Sequence, residues 1–281
     1  MQPELIVGLC RFSYLGLGDW SAYRTDKSTD PDRMAQMAEF LFDETRMADR
    51  FRAFEALCLP SVLAQNDPRF IFLILASPVM PRPWRERLQR LCAPHDAIHL
   101  HWSDAPSTGE ALRQPLAELH DLCDGRLWQF RLDDDDAISA GYLRILRQHI
   151  ARMAGLQTGA ISIATGVNLC LYGGQAIRYQ LYRTPFQSAG AAVRLSDPAR
   201  SIFGYGHFKL PTRFSHFVDQ DRIGALMLKW PSDSRPLDLD RPAPGTVEID
   251  AQRFRRIIER DFPTLAETDW ETLRATARPP A

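Results

Sequence analysis

Four consecutive aspartates, Asp133 to Asp136, stand in the segment QFRLDDDDA (Gln129 to Ala137), directly after an apolar run. Two carboxylates about 4 Å apart repel by roughly 4 kcal/mol at an effective dielectric of 20. A partly enclosed run of them therefore needs a cation or raised pKa values. A hard divalent ion meets that need, because magnesium and manganese prefer carboxylate oxygens and share themselves with substrate phosphates. A solvated acidic loop in which Asp136 or Ser139 caps the following helix accounts for the same residues without a metal. Position favours the ion: ligands of open α/β sheets gather outside the carboxyl ends of the strands, and the run follows such an end.

Other groups stand where they could join it. Arg11, Phe12 and Ser13 follow the apolar run Leu5 to Cys10 and lead to Gly16 and Gly18. The planar fork of an arginine suits a phosphate or a base edge, although exposed loop arginines also cap strand ends. In GYGHFKLP, His207 and Lys209 are two apart, so an extended segment puts both on one face. His216, in RFSHFVD, is the competing histidine, and a histidine beside aromatics is also a routine half-buried residue. Arg46 and Arg50 lie one helical turn apart and read as an anion clamp or as solvated helix arginines. The chain has no G-x-x-x-x-G-K-[ST], G-x-S-x-G or H-E-x-x-H, which argues against a P-loop ATPase, an α/β-hydrolase and a zinc protease. An aspartate-nucleophile phosphatase carries its Asp-x-Asp after the first strand, whereas this run follows about the fourth.

The elements that must position these groups follow from periodicity. Apolar runs predict buried strands at Leu5 to Cys10, Phe70 to Ala76, Ile98 to His101 and Leu127 to Leu132. Helical spacing predicts helices over Met34 to Gln65, with Pro60 marking a break and the first turn of a second helix, and over Arg85 to Cys92, Ala111 to Cys123, and Ala140 to Met153. This alternation implies a mostly parallel sheet with ligands at its carboxyl edge. Beyond it, strands at Ile161 to Tyr172 and Gln175 to Tyr182 meet at Gly173-Gly174. Turns at Thr184-Pro185, Asp197-Pro198 and Pro231 then divide short β-prone or irregular pieces, suggesting an antiparallel second lobe. Leu237 to Gly245 reads as a loop, Ala251 to Arg260 as a helix, and the Pro-Pro-ended tail as frayed.

Composition bounds the function. The 281 residues are 45% hydrophobic and 25% charged, a chain able to bury roughly 75% of its unfolded surface without staples. Lys and Arg number 34 against 35 Asp and Glu, for a net charge of −1, so no global field recruits nucleic acid or an anionic membrane. The five cysteines stand singly among apolar neighbours, as expected of free thiols in a reducing, cytoplasmic compartment. The longest apolar run is far short of a membrane span, and the amino terminus has no leader pattern.

Five pieces carry a resemblance: GLCRFSYLGLG, RMADRFRAFEALCLPSVLAQNDPRFIFLIL, QFRLDDDDA, GHFKLP, and SDSR at Ser232 to Arg235. Together they resemble the rhamnosyl transferase family, densely in the first half and in short islands later. The strand ending in Asp-x-Asp is similar to the nucleotide-sugar site of GT-A glycosyltransferases. The resemblance implies an α/β fold, GT-A-like, with a Rossmann-type mostly parallel sheet and a smaller mixed or antiparallel acceptor lobe. Residues 1–157 would be the nucleotide-sugar-binding half and 158–281 the acceptor-binding half of the same compact domain. The implied reaction moves a sugar, rhamnose by the family's label, from a nucleoside-diphosphate donor to a hydroxyl of a glycan or smaller acceptor. The implied cofactor is Mn2+ or Mg2+, on Asp133, Asp135 and Asp136 with His207 as a late-arriving ligand. Asp135 is the favoured ligand and Asp133 the residue closer to the ribose, with Asp134 and Asp136 able to exchange roles with them. Arg11, Phe12, Ser13, Asp133, Asp134, Lys209 and Arg235 would line the nucleotide-sugar site, and Asp233 would be the base. A clear Glu-Asp pair of the kind many GT-A enzymes carry is missing, so a non-catalytic nucleotide-sugar-binding or scaffold protein of the same fold is the alternative.

Overall fold

The computed structural model describes residues 4–17, 30–172, 175–231 and 238–274. Four parallel strands form its amino-terminal half: β1 (Leu5–Phe12), β2 (Phe70–Ala76), β3 (Ile98–Trp102) and β4 (Leu127–Arg131), in the order β3-β2-β1-β4. All four lie where the apolar runs predict them. β1 is buried at every residue but Arg11, as a strand covered on both faces must be. Ile6, Cys10 and Phe12 pack against Phe51, Phe54 and Phe130 on one side, and Leu5, Val7 and Leu9 against Leu116 and Val193 on the other.

The remaining strands extend the same sheet to ten: β5 (Asp136–Ile138), β6 (Gly159–Cys170), β7 (Arg178–Arg183), β8 (Ala191–Arg194), β9 (His216–Lys229) and β10 (Thr246–Ile249). β8 is antiparallel to both β4 and β6 and joins the two halves. β6 pairs antiparallel with β7 and parallel with β9, while the short β5 pairs antiparallel with β9. The pieces read as short or irregular after Gly190 thus contain a 14-residue strand, β9. Its polar stretch Asp219–Arg222 coincides with a register shift against β6, which hides the strand's period in the sequence.

The helices are α1 (Pro31–Leu41), α2 (Glu44–Ala53), α3 (Leu59–Leu63), α4 (Arg82–Cys92), α5 (Thr108–Ala111), α6 (Arg113–Leu122), α7 (Tyr142–Arg152) and α8 (Ala251–Asp261). The expected break at Pro60 falls instead at Asp43, whose side chain accepts from Arg46 N and starts α2. Pro60 sits in the first turn of α3, which α2 enters through a π-helical turn, Phe54–Cys58, without leaving helical dihedrals. A first-turn proline needs no N–H partner, so the chain passes through it. None of the five cysteines is in a disulfide, and all are buried. Among the described residues no helix is long and apolar enough to cross a membrane.

Candidate functional site

The sheet brings the two strongest motifs side by side. Leu9 of β1 is in register with Arg131 of β4, and Leu132 N donates to Leu9 O at 3.0 Å. The acidic run therefore leaves β4 next to Arg11, Phe12 and Ser13. Ser13 is buried and holds φ 45°, a left-handed turn that redirects the chain at the strand's end. Phe12 is locked by Phe51 and Phe54, with ring centroids at 4.7 and 5.1 Å. That contact seats α2 over the carboxyl edge and aims its arginines at the aspartates.

Arg50 is the centre of what results. Its Nε donates to Asp134 Oδ2 at 3.2 Å and its Nη1 to Asp135 Oδ2 at 2.8 Å, while Nη2 contacts Asp134 Oδ1. Asp135 Oδ2 also accepts from the indole Nε1 of Trp230 at 2.9 Å. Asp136 Oδ1 accepts from Leu228 N at 3.2 Å, which ties the run to β9. Asp133 differs, with its side chain 29% exposed against 1% for Asp134 and 9% for Asp135, and both its oxygens accept from Arg131 Nη2 at 3.1 Å. Burial pushes the Asp133 carboxyl up, but Arg131, Arg11 and Arg50 outweigh it and hold its pKa at about 2.

Arg46, read as a clamp or a solvated residue, is 6% exposed and donates from Nη1 to Leu41 O at 2.7 Å and Ser13 Oγ at 3.3 Å. Burial, then the nearby Arg50, lowers its pKa to about 9, which leaves it charged at neutral pH. Arg11 and Arg131 both lie over the ring of Phe203, at 4.5 and 5.2 Å from its centroid. The buried Gln129 of β4 holds that ring in place, because its Oε1 accepts from Ile202 N at 2.9 Å and its Nε2 donates to Arg200 O at 3.0 Å.

Several expectations are corrected by this geometry. Neither Asp136 nor Ser139 caps α7: Asp136 opens β5, Ser139 N donates to Gly224 O, and the helix begins after Gly141 with no side-chain cap. His207 and Lys209 are not in an extended segment but in a 3-10 helical turn, His207–Thr212. At three residues per turn, positions two apart point about 120° from one another and share no face. The His207 ring lies tilted against that of Phe208, with centroids 4.2 Å apart, and Lys209 is exposed. His216 opens β9 opposite Ala160, level with Gln129 through β8 and thus below the acidic run. Asp233 and Arg235 lie outside the described residues. Among the described residues no group of three or more His, Cys, Asp or Glu side chains is arranged to hold a metal ion. Asp133, Asp135, Asp136 and His207, expected to hold manganese or magnesium, do not form such a group.

Arg131, Phe203, Gln129 and Trp230 escape the sequence reading as site residues, and Arg50 enters it only as an anion clamp or a solvated cation. Two of them leave a signal in the sequence. Arg131 and Asp133 are two apart at a strand end, where such a pair shares a face, and Gln129 is a polar residue inside an apolar strand.

The parallel strands of a mixed α/β sheet thus lead to a cluster of aspartates and arginines at their carboxyl edge. The chain belongs to the family described as putative rhamnosyl transferase, whose profile matches residues 5–236. No curated protein matches it. Among solved structures it is similar to residues 1–349 of TarS from S. aureus, at 8% identity and a TM-score of 0.38, covering 80% of this chain and 60% of that one. It is also similar to a putative nucleotide-diphospho-sugar transferase from Desulfovibrio desulfuricans, at 10% identity and a TM-score of 0.32, covering 80% of each chain. The mannose-1-phosphate geranyltransferase from Thermus thermophilus matches at 13% identity and a TM-score of 0.28, covering 80% of this chain and 74% of that one. The chain spans 37% of the longer TarS chain. Likeness of this degree fixes neither substrate nor site.

Proposed function

We propose that this protein transfers a sugar, rhamnose by its family's description, from a nucleoside-diphosphate donor to a hydroxyl of a glycan or smaller acceptor. The observation that carries the reading is the meeting of the Arg11–Ser13 loop with Asp133–Asp136 at one sheet edge, in a member of this family. In the reaction the bond between the anomeric carbon and the diphosphate oxygen breaks and a bond to the acceptor oxygen forms. Negative charge grows on the departing diphosphate, and fixed cations aimed at it lower the barrier. We give that task to Arg11 and Arg131, and to Asp133, partly open to solvent, the contact with a ribose hydroxyl. The acceptor proton needs a carboxylate within hydrogen-bond reach, and we assign that role to Asp233. The carboxyl-terminal half shapes the acceptor site. The five buried cysteines, none of them in a disulfide, support a reducing, cytoplasmic setting for the reaction.

The test is donor hydrolysis and transfer. UDP-, GDP- and dTDP-sugars, offered with and without manganese, should yield release of one nucleoside diphosphate, and Asp233→Asn should lower turnover by about 10²- to 10⁴-fold while remaining folded. Binding of a nucleotide sugar with no release from any donor would make the protein a binding module instead.

A further inference from the structure

The acidic run is closed upon itself. Three of its carboxylates, Asp133, Asp134 and Asp135, interact with four guanidinium groups, those of Arg11, Arg46, Arg50 and Arg131, and Asp136 accepts from Leu228 N. The repulsion that would call for a divalent ion is thus already met by the chain. An ion seated on Asp135 would compete for that carboxylate with both Arg50 and Trp230, side chains that are 12% and 0% exposed. Magnesium or manganese binds well where carboxylate oxygens are turned to solvent or phosphate. Here Asp134 is sealed, Asp136 is spent on a backbone N–H, and Asp133 is forked by Arg131.

Two of the cations stand at the edge of the sheet. Arg11 and Arg131 leave β1 and β4 at the sheet edge where ligands of such folds collect, and they share the ring of Phe203. Two like charges over one ring are tolerable when an anion interacts with both, a role that Asp133 fills. Arg131 uses Nη2 on Asp133, while its Nε is buried and donates to nothing among the described residues. A guanidinium has five N–H donors and matches phosphate oxygens in a planar fork, which an ammonium cannot do. We propose that Arg11 and Arg131, braced by Phe203, receive the donor's diphosphate directly, so that nucleotide binding at this site needs no divalent ion. Arg50 then acts as a positioning residue that holds Asp134 and Asp135 away from both metal and ligand. This inference rests on the nucleotide-sugar reading above and says how that site meets the ligand's charge.

Calorimetry with UDP, GDP and dTDP, each in EDTA and in manganese, separates the possibilities. The expected result is one nucleoside diphosphate bound with the same affinity in both buffers. Arg11→Ala and Arg131→Ala should each weaken it by roughly 10- to 100-fold, the loss of a charge-assisted hydrogen bond, with melting temperature confirming that the variants are folded. Arg131→Lys should recover only part of the loss, because charge without the fork is not enough. Affinity that appears only with manganese overturns the inference and leaves the glycosyltransferase reading standing. Wild-type affinity in both alanine variants also overturns it. Failure of all three nucleotides in both buffers overturns the nucleotide-sugar reading itself.

Discussion

Replacing Arg50 with alanine leaves Asp134 and Asp135, with side chains 1% and 9% exposed, as adjacent buried carboxylates without their shared counterion. Three contacts vanish at once, the hydrogen bonds at 3.2 and 2.8 Å and the Nη2 contact to Asp134. Removing one partner of a buried ion pair typically costs about 3–5 kcal/mol, because the remaining charge stays desolvated. Trp230 Nε1 still donates to Asp135, which offsets a part of that for one carboxylate only. We therefore expect a loss near the lower end, about 3 kcal/mol. In chains of this size one kcal/mol moves the melting temperature by about 2–4 °C, so Arg50→Ala should melt about 6–12 °C below wild type. Arg50→Lys keeps the charge but not the fork and should fall between the two. Thermal unfolding followed by circular dichroism, with urea titration as the second measure, checks both. An Arg50→Ala protein within about 0.5 kcal/mol of wild type, the range of an ordinary surface substitution, would mean that the network does not hold the run together.

Gly8→Ala puts a Cβ 2.7 Å from the rings of Phe130 and Phe72 inside the core. Overpacking of this kind costs about 1–3 kcal/mol, and a melting temperature equal to wild type would refute the close approach of β1 to those rings. Gln129→Met removes the hydrogen bonds that hold Arg200 and Ile202, and hydrogen exchange at Ile202 N should lose its protection while the β1 amides keep theirs. His149 is buried between Asp219 (Nε2 to Oδ2, 2.8 Å), Arg222, Arg152 and Phe217. Burial lowers its pKa, the hydrogen bond and charge of Asp219 offset this only in part, and Arg222 and Arg152 lower it further. The unfolded imidazole, with a pKa of about 6.5, therefore binds a proton more readily than the folded one. Stability should be complete above about pH 6.5 and decline as the pH falls toward the folded pKa, and His149→Gln should abolish that slope in melting curves taken across the range. A wild-type melting temperature that rises on acidification through this window would reverse the assignment.

The sequence by itself determined the strands of the parallel half, the helices α7 and α8, and the place of the acidic run, because each is written in local pattern. A fully buried strand such as Phe70–Ala76 must be apolar along its length, and a helix such as Tyr142–Arg152 must repeat its apolar residues every three or four positions. The family resemblance was legible for the same reason, since its motifs are contiguous pieces of chain. Only the tertiary structure decided what neutralises the aspartates. Arg50 meets Asp134 across 84 residues and Trp230 meets Asp135 across 95, and no local spacing encodes such pairs. On its own helix Arg50 reads as a clamp or a solvated cation, and it becomes an internal counterion only because Phe12 packs on Phe51 and Phe54 and turns that face inward. The same limit applies to β8 and β9. Their place beside β4 and β6 depends on pairing between distant segments, where register is set by the partner strand rather than by the strand's own residues.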